Sequence, residues 1–221
     1  MSRETEILDA LYNYVLDGER EPAVSLTKEG LERGMDPLTL LFQAMIPSLE
    51  EVGRLFEIGD YFVPEMLIAA RAMQGAMEIL QPLIAASGVE PLGTFVMGTV
   101  KGDIHDIGKK LCNTMLEGAG FIVVDLGVNV APETFVEAIR QHKPGAVGMS
   151  AFLTTTMPML KTNIEAIAAA GLRDSVKILV GGAPVTQEYA DVVGADGFAP
   201  DASAAVRLTK RLLGISAAES A

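Results

Sequence analysis

Apolar positions follow two different rhythms along this chain. Through residues 1–86 they recur every three to four positions, the period of a helix with one buried face. "ETEILDALYNYVLDGE" places Ile7, Leu8, Leu11, Val15 and Leu16 on one stripe. "PAVSLTKEGLERG" reads as a second helix, with Pro22 as its first helical residue and Gly34 as its stop. "DPLTLLFQAMIPSLEEVGRLFEIG" offers Asp36 as N-cap and Pro37 just inside, and its internal Pro47 predicts a kink or a split. "VPEMLIAARAMQGAMEILQPLIAAS" is a fourth helix, dense in Ala and Met, whose Met66, Met73 and Met77 read as core filling. Four helices with short connections predict a small antiparallel bundle.

The stretch "SGVEPLG" (Ser87–Gly93) has Gly and Pro and no helical period, and reads as a linker. Beyond it the rhythm changes. "TFVMGTV", "FIVVDLG", "GAVGMS", "VKILVGG" and "DGFA" are short, charge-poor runs. They alternate with helical segments near 106–119, 131–143, 157–170, 185–193 and 201–213. Strand-helix alternation predicts a parallel sheet covered on both faces. The expected architecture is α/β: a four-helix bundle over residues 1–88, then a flavodoxin-like, Rossmann-type domain with a five-stranded parallel sheet over 89–221. The last residues, "SAAESA", read as a frayed end.

Composition narrows the function classes. Seventeen basic residues against 29 acidic ones give a net charge of −12, which argues against a nucleic-acid partner held through phosphates. A single cysteine, Cys112, excludes an internal disulfide framework. The N-terminus "MSRETEILDA" lacks the apolar core of a signal peptide, and Glu65, Arg71 and Glu78 interrupt the longest apolar helix. The expectation is a soluble cytoplasmic protein with no membrane partner.

In an open parallel sheet, ligands bind beyond the carboxyl ends of the strands. Those positions here carry "KGDIHDIGKK", "SAFLTTT", "GGAPVT" and "APDAS". The inventory lacks a G-x-S-x-G nucleophile elbow, a G-x-G-x-x-G turn, a Walker lysine motif and a cluster of zinc ligands. It holds one of only two histidines, His105, two positions after Asp103; His142, in "RQHKPG", reads as a solvated helix end. One imidazole beside a carboxylate suits a metal whose other ligands come from a macrocycle.

At these residues the chain resembles base-off, His-on cobalamin-binding domains. Asp103-Ile104-His105-Asp106-Ile107-Gly108 matches their D-x-H-x-x-G signature. Ser150 of the S-x-L element follows after the 41 residues 109–149, and Gly181-Gly182 after the 28 residues 153–180. The chain departs from S-x-L in one place: Phe152 stands where the signature has leucine, although Leu153 follows it. The helical part, through "VGRLFEIGDYFVPEMLIAARAM", is similar to the cap bundle that precedes the corrinoid domain in methionine synthase. Taken together, the chain resembles most closely the free-standing corrinoid proteins of methylamine, methanol and related methyltransferase systems.

That resemblance implies a cofactor, cobalamin, with methylcobalamin as its loaded form, and His105 as the protein ligand to cobalt in place of the cofactor's own base. Asp103 would hold the other ring nitrogen, and Thr156, six residues after Ser150, would complete the relay. Gly102, Ile104, Asp106, Ile107, Gly108, Ser150, Leu153, Thr154, Gly181 and Gly182 would contact the cofactor. Ala199, Pro200 and Asp201 would close the slot for its nucleotide tail. The glycines would leave room for that tail. From the cap, Phe56 and Val63 would shield the methyl group, and the linker would hinge to admit each partner. Those partners would be a substrate:corrinoid methyltransferase, a methylcorrinoid:acceptor methyltransferase delivering to tetrahydrofolate or coenzyme M, and a reductive activase. The chain would be a methyl-carrying subunit, without room for a substrate-binding barrel of its own.

Plainer readings stand beside these. An Asp-x-His in a loop is commonly a capping arrangement, Thr156 can cap the following helix, Phe56 can be core, and Cys112 reads as a small buried hydrophobe. Two other classes share the module. A cobalamin-dependent sensor would add a DNA-binding segment before the bundle, and the expectation here is a chain without one. The small subunit of adenosylcobalamin mutases lacks such a cap.

Overall fold

A computed structural model describes residues 2–87 and 91–215 of the chain. These fall into two compact units, one of helices up to residue 87 and one with a sheet from residue 91. The middle of the expected linker, residues 88–90, and the C-terminal "SAAESA" lie outside the described residues.

The helical unit comprises α1 (Arg3–Leu16), α2 (Arg20–Glu32), α3 (Pro37–Leu40), α4 (Ile46–Glu57) and α5 (Val63–Ser87). Ile7, Leu11 and Val15 of the α1 stripe are fully buried, as the period requires. Leu40, Met45, Leu49, Val52, Met66, Met73 and Leu80 are likewise within a few per cent of complete burial, and α1 packs against α2, α4 and α5. The third predicted helix is continuous from 37 to 57, but it changes geometry midway through a π-helical turn, Leu41–Met45. The turn lies immediately before Pro47, where the missing N–H and the ring deny an ordinary α-helical bond. Asp36 caps α3 by accepting from the Leu38 N–H at 3.2 Å. Pro22 is not the first helical residue, because α2 begins at Arg20 and the proline sits inside its first turn, where no N–H is required.

The second unit alternates β1 (Thr94–Thr99), α6 (Ile107–Gly118), β2 (Ile122–Asp125), α7 (Pro132–His142), β3 (Ala146–Ser150), α8 (Pro158–Ala169), β4 (Lys177–Gly181), α9 (Gln187–Val193), β5 (Gly197–Phe198) and α10 (Ala202–Leu212). Every strand pairing is parallel, in the order β2-β1-β3-β4-β5, with Thr99 beside Ser150 and Ser150 beside Gly181. That is the flavodoxin-like order, and its topological switch lies between β1 and β3. Helices cover both faces, because alternate strand residues are buried on each. Val96, Val147, Met149, Ile178 and Val180 pack with Phe135 and Ile139 of α7 and Leu160, Ile164 and Ile167 of α8. Phe95 and Met97 are buried as well, and α6 and α10 pack together. The loops that follow β1 and β3 thus emerge side by side at the switch point.

Candidate functional site

The loop after β1 is built around one carboxylate. Asp103 is fully buried, and five donors converge on it. Its Oδ1 accepts the His105 main-chain N–H at 3.0 Å and lies 2.7 Å from His105 Nδ1. Its Oδ2 accepts the Phe152 N–H at 2.7 Å, the Leu153 N–H at 3.3 Å and the Thr156 hydroxyl at 2.8 Å. The last three donors all come from the loop after β3, which the parallel register sets beside the β1 loop. Burial alone would raise the Asp103 pKa. The bonds from the His105 N–H and ring, the Phe152 N–H and Thr156 outweigh it and hold the carboxyl well below the usual range.

An ionised carboxylate only accepts hydrogen bonds. The Nδ1 of His105 is therefore the donor in its contact with Asp103, and the ring's lone pair resides on Nε2. That atom has no hydrogen-bond partner among the described residues, and the His105 side chain is 44% exposed. The ring is held on a second side by Phe152, stacked on it with centroids 4.3 Å apart and planes 26° from parallel. Ile104, Ile107, Phe152 and Leu153 expose apolar surface around it.

Neighbouring contacts fix the loop's backbone. Buried Thr99 donates its hydroxyl to the His105 carbonyl at 3.0 Å. Asn129, in the loop after β2, accepts from the Gly102 N–H at 2.8 Å and donates its own N–H to the Asp103 carbonyl at 2.9 Å. Gly102 takes a φ of +85° there and Asn129 a φ of +54°. Lys109, at the start of α6, buries its side chain in an ion pair with Asp125 at the end of β2. The sequence reading did not single out Thr99, Lys109, Asp125 or Asn129. A non-glycine left-handed residue in a loop beside the switch point is the one signal that marks Asn129, and only the backbone reveals it.

The other predicted residues are placed as follows. Ser150 is half-buried at the end of β3, and Thr154 is exposed in the loop after it. Asp106 turns from the imidazole to Lys110, 2.6 Å away, and that hydrogen bond lowers its pKa. A Cβ on Gly182 would lie 1.9 Å from the Ala151 carbonyl oxygen, and its φ is +126°, so the chain's own backbone suffices to require glycine there. One on Gly181 would meet the Ala199 carbonyl oxygen at 3.0 Å. Gly108 differs, since a Cβ there would point into space with no protein atom within 4 Å. Asp201 caps α10 through the Ala204 N–H at 2.7 Å, with Ala199 buried and Pro200 exposed before it. Thr156 does not cap α8, whose N-cap is Met157; its hydroxyl reaches Asp103 and the Leu153 carbonyl. In the helical unit Phe56 is half-buried and Val63 is exposed at 45%. Met66 and Met73 are buried, and Met77 partly so. His142 is exposed in the last turn of α7.

The donor set fits a corrinoid. Among the described residues no three His, Cys, Asp or Glu side chains cluster as a self-sufficient metal site. One imidazole nitrogen, unpartnered, exposed and oriented by a buried carboxylate, is what a metal already ringed by a macrocycle requires.

Comparisons with known proteins agree. Residues 93–207 match the B12 binding domain family, and residues 7–81 match a second B12 binding domain family. The chain is 42% identical over 215 residues to Trimethylamine corrinoid protein 2 of Methanosarcina mazei, covering 96% of this chain and 99% of that one. Among solved structures it is similar to a cobalamin-binding protein from Desulfitobacterium hafniense, with a TM-score of 0.78, 31% identity and coverage of 93% and 98%. It is also similar to a chain of the methanol:cobalamin methyltransferase complex MtaBC from Methanosarcina barkeri, with a TM-score of 0.83, 26% identity and coverage of 96% and 81%.

Proposed function

The chain belongs to the B12-binding family of corrinoid proteins, and on that footing we propose that it carries a methyl group between two methyltransferases on a cobalamin ligated by His105. The observation that carries this reading is the His105 ring itself. Its Nδ1 proton is committed to Asp103 at 2.7 Å, and its Nε2 lone pair is open at the strand tips.

Bound cobalamin supplies a cobalt centre that takes up a methyl group and gives it away. The protein's part is positional and electrostatic. Asp103 selects the tautomer that presents Nε2 and raises the ring's basicity as a ligand. The Phe152 N–H and the Thr156 hydroxyl favour the ionised form of Asp103, and the Leu153 N–H also donates to it. Gly108 leaves open space at the start of α6. We assign contact with the cofactor to Gly102, Ile104, Asp106, Ile107, Ser150, Leu153, Thr154, Gly181 and Gly182, and the tail slot to Ala199, Pro200 and Asp201. For Phe56 and Val63 of the helical unit the resemblance alone supports the assignment, whereas domains at 1–88 and 89–221 are supported by the change of apolar rhythm and by the two compact units.

A substrate-specific methyltransferase would load the methyl group, and a second would deliver it to tetrahydrofolate or coenzyme M. A reductive activase would restore the carrier, and the cytoplasm is the compartment in which these meet. Relatives named for trimethylamine and dimethylamine make methylamines the first donor class to try. No helix among the described residues is long and apolar enough to cross a membrane.

The test loads the purified chain with methylcobalamin and adds an acceptor methyltransferase with its acceptor. One methyl group per cofactor should leave. Retention of the methyl group, with light-sensitive adenosylcobalamin binding and a change of oligomeric state, would instead identify a sensor.

A further inference from the structure

Phe152 occupies the position that the S-x-L element gives to leucine, and it does not fill the core. It is 48% exposed. Its ring lies against the His105 imidazole at 4.3 Å and 26°, and its own N–H anchors Asp103 Oδ2 at 2.7 Å. One residue thus fixes the carboxylate that grips Nδ1 and covers a face of the same ring. The two restraints act on different motions. A flip of the imidazole about its Cβ–Cγ bond would break the Asp103 contact, whereas a swing of the whole side chain would break the stack. Neither touches the edge that carries Nε2.

We propose that Phe152 is a positioning residue for the axial histidine, stacking on His105 so that Nε2 is held in its ligating orientation before the metal arrives. The inference rests on the reading of His105 as ligand. A flat aromatic partner restricts the imidazole plane through offset stacking, and a leucine at this place offers no such plane. Orientation established in advance lowers the ordering cost of forming the bond.

The test has two arms on the full chain. Without cofactor, NMR of the His105 ring protons should show them shifted upfield by the Phe152 ring in wild type and in F152Y, and relaxed toward unstacked positions in F152L and F152A. Grown with 15N-histidine and reconstituted with unlabelled cob(II)alamin, the same proteins are titrated with unlabelled imidazole while electron paramagnetic resonance reports whether the labelled histidine nitrogen binds cobalt. The concentration that displaces half the histidine should fall roughly two- to tenfold in F152A, the range expected of an aromatic pair. It should fall less in F152L and hold in F152Y. Because Phe152 is half exposed, all four proteins should unfold at the same urea midpoint, which separates positioning from folding. Unmoved ring protons, or equal half-displacement concentrations in wild type and F152A, would overturn the proposal. A wild-type spectrum with no histidine nitrogen on cobalt would instead overturn the reading beneath it.

Discussion

The Thr156 hydroxyl donates to Asp103 Oδ2 at 2.8 Å, across 53 positions of sequence and between the loops of two adjacent parallel strands. That contact extends a local Asp-x-His pair into a hydrogen-bonded chain of three residues. Thr156 itself is only 6% exposed, so no water takes its place easily. Replacing it by valine removes the bond and leaves a buried carboxylate short of a donor. We expect T156V to lose about 1–3 kcal/mol of stability in urea unfolding, and T156S, which keeps the hydroxyl, to lose less than half as much.

Asp103 should leave a pH signature. Its folded-state pKa is depressed, so the stability it contributes is complete above the unfolded value and disappears as pH falls through the folded one. D103N should be clearly less stable than wild type at pH 7. The gap should narrow only below about pH 4, the ordinary aspartate range. Urea unfolding of both proteins from pH 7 to pH 3 measures this.

Two glycines of the signature should respond in opposite ways. G182A must adopt φ +126° with its Cβ 1.9 Å from a backbone oxygen, and should cost at least about 2 kcal/mol. G108A meets nothing within 4 Å and lies in the first turn of α6 with a helical backbone that alanine adopts without strain. G108A should therefore unfold no earlier than wild type while binding corrinoid more weakly. Thermal unfolding without cofactor and titration with cobalamin separate the two effects.

Cys112 should be inert. Cys112 is half-buried rather than a core residue, and desolvation of its thiol, with Asp201 nearby, pushes it up to about 12, so almost no thiolate exists at neutral pH. Iodoacetamide at pH 8 should leave the native protein unmodified and label it fully in urea.

Much of this site could be read from the chain before its fold, and the exceptions have physical causes. Period and charge-poor runs located the bundle and all five strands, since burial on one face or two dictates those patterns. Asp103 and His105 were legible because they are two residues apart. Thr156 was reached only through a resemblance, as nothing local links it to residue 103. The Lys109–Asp125 pair and the Asn129 clamp depend on β2 lying beside β1, and no sequence pattern specifies that neighbour. The π turn before Pro47 is a backbone solution chosen among several, a kink being another. Phe152 was visible as a departure from S-x-L, but only the folded chain shows which ring it covers.

The central claim is that a nitrogen of His105 ligates cobalt, and isotopic labelling tests it most directly. The chain contains two histidines, and His142 is an exposed residue at the end of α7. The protein is grown with 15N-histidine, loaded with unlabelled cob(II)alamin and examined by electron paramagnetic resonance, with H105A and H142A alongside. Ligation by His105 predicts that labelling converts the axial-nitrogen splitting from a triplet to a doublet in wild type and H142A, and that H105A loses the labelled coupling. A triplet that persists in the labelled wild-type protein would mean that the cofactor keeps its own base on the metal, and would contradict the account.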